Sequence, residues 1–188
     1  MRIIGGAARG IRLEAGDNPA TRPTTDRLKE TLFNMIGCLQ GDVVVDVFAG
    51  SGALGLEALS RGAKKVYFIE NDRHTMRVIE NNYEKVKKSM RAECGEVVFL
   101  NSDWRQALMN ISNEVDVFIS DPPYGEDSEL AKELIESEQL VKAGHGESFL
   151  VIEHLTISQL ISDRWKQVKV KHCRPTSFSF FTRVDSRG

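Results

Sequence analysis

From Val43 onward the chain alternates between two hydrophobic rhythms. Short, nearly continuous apolar runs occur at Val43–Phe48, Lys65–Glu70, Val97–Leu100, Val115–Ser120 and Ser148–Glu153. Runs of this kind are expected of parallel strands covered on both faces. Between them the apolar positions recur at helical spacing. Residues 53–61 predict a helix, and Met76, Ile79, Tyr83, Val86 and Met90 form one stripe of a longer helix. Residues 104–111, 128–141 and 157–162 predict three more helices. The last two segments, 166–173 and 177–184, have no helix between them, so they predict an antiparallel hairpin. Ahead of Val43, Arg2-Ile3-Ile4 and Ile11-Arg12-Leu13 can pair as a short hairpin. A helix should then start with Thr24 or Thr25 as N-cap and bury Leu28, Leu32, Met35, Ile36 and Leu39. The sum is an α/β chain: a doubly wound, mostly parallel seven-stranded sheet with one antiparallel C-terminal strand. Residues 1–23 form a small hairpin-and-loop extension, and 24–188 the sheet domain.

Composition narrows the class without changing the picture. The chain has 188 residues, 41% hydrophobic and 28% charged, in the range of a globular domain. No apolar run approaches a membrane span, and the first residues lack a signal-peptide core, so the cytoplasm is the expected compartment and a monomer the expected state. Cys38, Cys94 and Cys173 are far apart, and neither they nor His74, His145, His154 and His172 show ligand spacing. Neither a disulfide framework nor a metal site is expected.

The net charge is −2, yet the cations are clustered. Arg2, Arg9, Arg12, Arg22, Arg27 and Lys29 crowd the N-terminus, and Arg164, Lys166, Lys169, Lys171 and Arg174 the C-terminal hairpin. Local basic faces on a near-neutral chain fit a positional contact with nucleic acid. The N-terminal arginines and the Lys169/Lys171 strand are the expected phosphate contacts.

Two motifs carry chemistry. The first strand runs into Asp46-Val47-Phe48-Ala49-Gly50-Ser51-Gly52-Ala53-Leu54-Gly55, whose Gly50, Gly52 and Gly55 match the G-x-G-x-x-G loop of Rossmann-like nucleotide sites. Glu70 follows about 20 residues later, where an acid can hold a ribose diol. Asp46 lies inside the strand, and its charge disfavours a pyrophosphate and favours a cationic ligand. Ser102-Asp103-Trp104 ends the third strand and offers an acid for an adenine amino group. Asp46, Glu70, Asp103 and Asp121 are expected at four strand ends, on the edge where open α/β sheets bind ligands. S-adenosylmethionine has the matching parts: an adenosine, a sulfonium and an ammonium. The second motif, Asp121-Pro122-Pro123-Tyr124, closes the fourth strand. Two prolines stiffen the turn, the acid can accept from an exocyclic amino group, and the ring can stack on a base.

With these residues the chain resembles the S-adenosylmethionine-dependent methyltransferases, and more narrowly the bacterial 16S ribosomal RNA guanine-N2 methyltransferase family. The resemblance rests on Met1–Gly6, on Arg22-Pro23-Thr24-Thr25-Asp26-Arg27 with Glu30–Asn34, on Asp46–Glu57 and on Asp121–Tyr124. It implies a Rossmann-like methyltransferase sheet acting on 16S rRNA within an assembling small subunit. It implies that Phe48, Ala49, Gly50, Ser51 and Gly52 line the methionine part of the cofactor. Glu70 and Asn71 would hold the ribose, and Asp103 and Trp104 the adenine. Asp121, Pro122, Pro123 and Tyr124 would hold the target base, with Asp121 also facing the cofactor. Thr24, Thr25 and Arg27 would close over the cofactor. Members carry a Tyr-Gly turn near the C-terminus, where this chain reads His172-Cys173-Arg174-Pro175-Thr176-Ser177. Alternatives are an adenine-N6 methyltransferase, which shares the Asp-Pro-Pro-Tyr chemistry, an NAD-dependent oxidoreductase, and a non-catalytic RNA-binding assembly factor.

Overall fold

The computed structural model describes residues 1–15, 26–90, 94–123 and 128–184. In chain order the elements are α1 (Asp26–Ile36), β1 (Val43–Val47), α2 (Ala53–Ser60), β2 (Lys65–Ile69), α3 (Arg73–Met90), β3 (Glu96–Leu100) and α4 (Trp104–Met109). They continue with β4 (Val115–Ser120), α5 (Glu129–Glu136), α6 (Glu138–Ala143), β5 (Gly144–Leu155), β6 (Trp165–His172) and β7 (Thr176–Arg183). The strands form one sheet in the order β3-β2-β1-β4-β5-β7-β6. β7 is antiparallel to both neighbours, and the remaining pairs are parallel. This is the architecture that the alternating runs predict.

The apolar residues split by strand parity. Val44, Val66, Phe68, Ile119 and Val151 pack on one face under α1, α2, α3 and the N-terminal arm. Val45, Val47, Tyr67, Phe118 and Ile152 pack on the other under α4, α5 and α6. Every residue of β1 is buried, because this central strand has a helix layer on each side.

Two predicted helices differ. The helix expected over 128–141 is divided at Ser137, whose extended backbone (φ −68°, ψ 130°) ends α5 and whose hydroxyl caps α6 by accepting from Leu140 N at 3.1 Å. The helix expected over 157–162 does not form. β5 runs on to Leu155, Thr156 N donates to Pro175 O at 3.0 Å, and buried Ser158 donates to Ser128 Oγ at 3.2 Å. Ser158 N closes a turn on Leu155 O at 2.9 Å, the chain leaves that turn without helix, and Ile157 and Ile161 face solvent.

The N-terminal arm forms a reduced version of the expected hairpin. Arg2 and Arg12 bridge, and Ile3 N bonds Ile11 O at 2.9 Å. Ile3, Ala8 and Leu13 are buried in the core. A single carboxylate on α2 anchors this arm. Glu57, fully buried, accepts from Ile4 N at 2.8 Å, Gly5 N at 2.7 Å and Arg61 Nε at 2.8 Å. Lys29 of α1 lies 3.8 Å from the same carboxylate and donates to Arg2 O. Lys29 is therefore no part of a basic surface, contrary to the sequence expectation: it is fully buried, and burial lowers its pKa while Glu57 opposes that shift.

Replacing Glu57 by Ala should cost about 3–5 kcal/mol, since it strands a buried ammonium and two backbone N–H groups. Urea unfolding checks this, and a loss below about 1 kcal/mol contradicts the anchoring role.

Candidate active site

The register aligns the site. Val47 pairs with Ile69 and with Ser120, and Ile69 pairs with Leu100. Phe48, Glu70, Asn101 and Asp121 are the next residues, so they form one row past the carboxyl ends of β1, β2, β3 and β4. Glu70 and Asp121 stand two strand spacings apart, about 10 Å, on either side of the glycine loop.

Asp46 departs from that row. It pairs with Phe68 and Ile119, inside the sheet, and is 1% exposed. Its carboxyl accepts from Gly55 N at 2.7 Å, in the first turn of α2, whose N-cap Gly52 has no side chain to do so. Desolvation pushes its pKa from 3.8 to about 7; the Gly55 bond opposes this and nearby Glu70 adds to it. Asp46 thus fastens the loop to the sheet, and near neutral pH it carries only part of a charge. Three acids, rather than four, occupy the edge.

The glycines divide into two kinds. A Cβ on Gly55 would meet Phe68 at 2.4 Å, and one on Gly52 would meet Ile79 at 2.8 Å, so both admit close helix–sheet packing. Gly50 has φ +55° and, among the described residues, nothing nearer its Cβ position than Phe48 O at 4.0 Å, so it faces open space there. Gly50 N donates to Glu70 Oε2 at 3.0 Å, and Asp72 N to Glu70 Oε1 at 2.9 Å. Each carboxylate oxygen keeps a further lone pair, as a pair of hydroxyls requires. Phe48 holds φ +65°, a strained value for a side chain of this size, and meets the Trp104 ring edge-on at 6.2 Å. Ala49 is buried and Ser51 half-buried, with the Ser51 hydroxyl 3.8 Å from Met1 Sδ. Asn71 is exposed, and its carbonyl accepts from Asn101 Nδ2 at 3.1 Å.

Asp103 caps α4, accepting from Arg105 N at 2.9 Å and pairing with the Arg105 guanidinium at 3.0 Å. Arg105 lies over the Trp104 ring at 4.4 Å and also pairs with Glu133. Trp104 Nε1 and Ser120 Oγ are buried without a hydrogen-bond partner among the described residues. Asp121 is half-buried, Pro122 buried and Pro123 exposed. Arg27 is exposed on the first turn of α1, and its charge reaches Cys173, whose thiol is pushed up chiefly by burial. Thr24, Thr25 and Tyr124 lie outside the described residues.

One positioning residue was missed from sequence. Asn82 of α3 is fully buried. It accepts from Glu14 N at 2.8 Å and donates to Glu14 O at 2.9 Å and Ser51 O at 3.0 Å, tying arm and glycine loop to one helix. The available signal was an amide on the apolar stripe between Ile79 and Val86.

The reversed last strand, the glycine loop and the edge of acids define the Rossmann-like methyltransferase class. The chain belongs to the family described as "Conserved hypothetical protein 95", whose model matches residues 1–182. A Bacillus subtilis (strain 168) protein named "Putative rRNA methyltransferase YlbH" is 36% identical over 82% of each chain. "Ribosomal RNA small subunit methyltransferase D" of Escherichia coli (strain K12) is 41% identical over 66% of this chain and 60% of its own length. A solved structure titled "Putative methyltransferase yhhF from Escherichia coli" superposes with TM-score 0.77 at 32% identity, covering 97% of both chains. The family membership expected from the motifs is borne out.

The raised pKa of Asp46 sets a sign. Between about pH 4 and pH 7 the folded chain holds a proton that the unfolded chain has lost. This contribution to stability is complete below that window and is lost as pH rises through it, by up to about 1.4 kcal/mol per pH unit. Asp46→Asn should lack the slope, so its stability relative to wild type should rise between about pH 4.5 and pH 7.5 in paired urea titrations. A difference independent of pH contradicts the assignment.

Proposed function

We propose that this chain transfers a methyl group from S-adenosylmethionine to the exocyclic N2 of a guanine in 16S ribosomal RNA. It does so as a cytoplasmic monomer acting on an assembling small subunit. The observation that carries the proposal is the row formed by Phe48, Glu70 and Asp121, with Gly50 facing open space beside it. That row supplies a diol-binding carboxylate and an amino-group acceptor about 10 Å apart. The names of the relatives, which specify ribosomal RNA, support the substrate class.

The residues present fit the cofactor. Glu70 has spare lone pairs for the ribose hydroxyls, Gly50 gives the methionine part close backbone approach, and Asp103 and the Trp104 backbone hold the adenine. Phe48, Ala49, Ser51, Gly52 and Asn71 complete the wall, and Arg27 stands on the α1 side; the family resemblance assigns Thr24 and Thr25, outside the described residues, to the same cofactor contact. Asp46 acts here through the loop that it fastens. When bound, the cofactor supplies a methyl group already activated on a sulfonium.

The chain's own contribution falls on the acceptor nitrogen. The guanine amino group is a weak nucleophile because its lone pair is delocalised into the ring. Asp121 and the carbonyl of Pro122 accept hydrogen bonds from it, which favours a pyramidal nitrogen and stabilises the positive charge that develops there. Pro122 and Pro123 keep the turn rigid, so the acceptors need no reorganisation. Tyr124 stacks on the extruded base. Asp-Pro-Pro-Tyr chemistry serves adenine N6 equally, so the base is decided by methylating small-subunit particles that lack the modification with labelled cofactor and identifying the product nucleoside.

Asp121→Ala should reduce kcat by roughly 10²-fold or more. Cofactor affinity, read by calorimetry, should stay near the wild-type value. Methyl transfer near the wild-type rate contradicts the role of Asp121. Gly50→Ala adds no clash with the described residues and, at the cost of some backbone strain at φ +55°, projects a methyl into the cleft. It should weaken cofactor binding by about tenfold with the fold intact, and unchanged affinity means that the cofactor does not pass Gly50.

A further inference from the structure

The missing helix over 157–162 leaves a cavity of ≈ 310 Å³ on the α5/α6 side of β5, β7 and β6. Among the described residues its lining holds no Asp, Glu, Lys or Arg. Ser120 pairs with Ile152, and His154 is two residues further along β5. The cavity therefore begins about 8 Å from the β4 end that leads into Asp121.

Its polar floor is ordered by direction. His154 Nδ1 donates to Leu155 O at 2.8 Å, so Nε2 is the acceptor for the Ser179 hydroxyl, also at 2.8 Å. Burial lowers the His154 pKa, in keeping with a neutral ring. Gln167 Nε2 donates to Ser179 Oγ at 3.0 Å. The relay uses one N–H of Gln167 and leaves its carbonyl oxygen and second N–H. An adjacent donor and acceptor on a planar amide match a nucleobase edge. Leu160, Ile161 and Val170 form the apolar part of the wall among otherwise polar lining residues. Leu160 is buried, whereas Val170 is 38% and Ile161 76% exposed, and both line the cavity. Apolar side chains beside a neutral polar floor suit the faces and edge of a base. The same hairpin carries exposed Lys166, Lys169, Lys171 and Arg174 and no acid between Trp165 and Ser177, with Lys169 and Lys171 on the face of the edge strand opposite Val170 and His172. That charge suits a phosphodiester backbone.

We infer that this cavity binds an unpaired nucleobase of the RNA substrate other than the one methylated, read by the Gln167 amide between Ile161 and Val170. The inference rests on the assignment of the chain as an RNA methyltransferase. It adds a second point of sequence discrimination beside Asp121.

The test compares wild type, Gln167→Leu and Ile161→Ser. Affinity for a labelled single-stranded oligoribonucleotide containing the target site is read by anisotropy, cofactor affinity by calorimetry, and KM and kcat on small-subunit particles. Gln167→Leu should bind the oligoribonucleotide about tenfold more weakly and raise KM, with kcat and cofactor affinity unchanged. Ile161→Ser, altering an exposed side chain, should weaken RNA binding about threefold and decides the matter if Gln167→Leu unfolds. Unchanged RNA affinity in the folded variants overturns the inference, as does a wild type with no RNA affinity. Loss confined to protein-containing particles, with normal binding to the free oligoribonucleotide, also overturns it by assigning the patch to a protein. RNA binding that depends on Gln167 without methyl transfer in wild type leaves the inference standing and removes the proposed activity instead.

Discussion

A carboxyl group inside β1 reaches nine residues ahead to the amide of Gly55, at 2.7 Å. That bond fixes the distance between the end of the central strand and the first turn of α2, so the intervening loop has one length to span. Strained Phe48, open Gly50 and the left-handed N-cap Gly52 all lie within the span. Burial costs the group part of its ionisation, and the backbone N–H recovers some of it. The protein tolerates that cost where it sets the shape of a binding loop.

The same helix is held from its outer side by a second buried acid. Glu57 gathers two arm amides, the Arg61 guanidinium and the Lys29 ammonium around one carboxylate. The partners come from the arm, from α1 and from the end of α2 itself, so the three cannot shift independently without exposing a charge to an apolar interior. Asn82 adds the third connection, from α3 to both arm and loop. The N-terminal arm is thereby part of what shapes the edge of the sheet, because Met1 sits against Ser51 and Glu14 against the helix that holds it.

The strands were legible because a central parallel strand has two apolar neighbours and little freedom in composition. Helices α1 and α3 were legible for a related reason, since each buries one stripe, whereas α2 is buried along its whole length. Legibility failed where the deciding interaction is remote in sequence. Ser137 reads as one polar residue in a helical stretch until its hydroxyl finds Leu140 N. The stretch 157–162 has isoleucines at helical spacing, but Ser128 and Pro175 hold its backbone from elsewhere in the chain. Lys29 reads as a surface cation because nothing local announces Glu57 beneath it. Among the site residues, the glycine spacing was visible, yet only the packing separates Gly50, which faces space, from Gly52 and Gly55, which face side chains.

A chain of net charge −2 that lines its site with acids has to meet a polyanion. The acids are largely compensated where they stand. Asp103 is paired with Arg105, Glu57 with Lys29 and Arg61, Glu70 with two backbone amides, and Asp46 holds a proton for part of the time near neutral pH. Two places expose clustered cations: Arg9 and Arg12 on the arm, and Lys166, Lys169 and Lys171 along the edge strand β6. Charges are screened beyond about 8–10 Å at ordinary ionic strength, so an approaching phosphate responds to those nearby cations rather than to the molecular total. Under the proposed function, the sheet edge would stay selective for a cationic donor while the arm and the hairpin meet the nucleic acid.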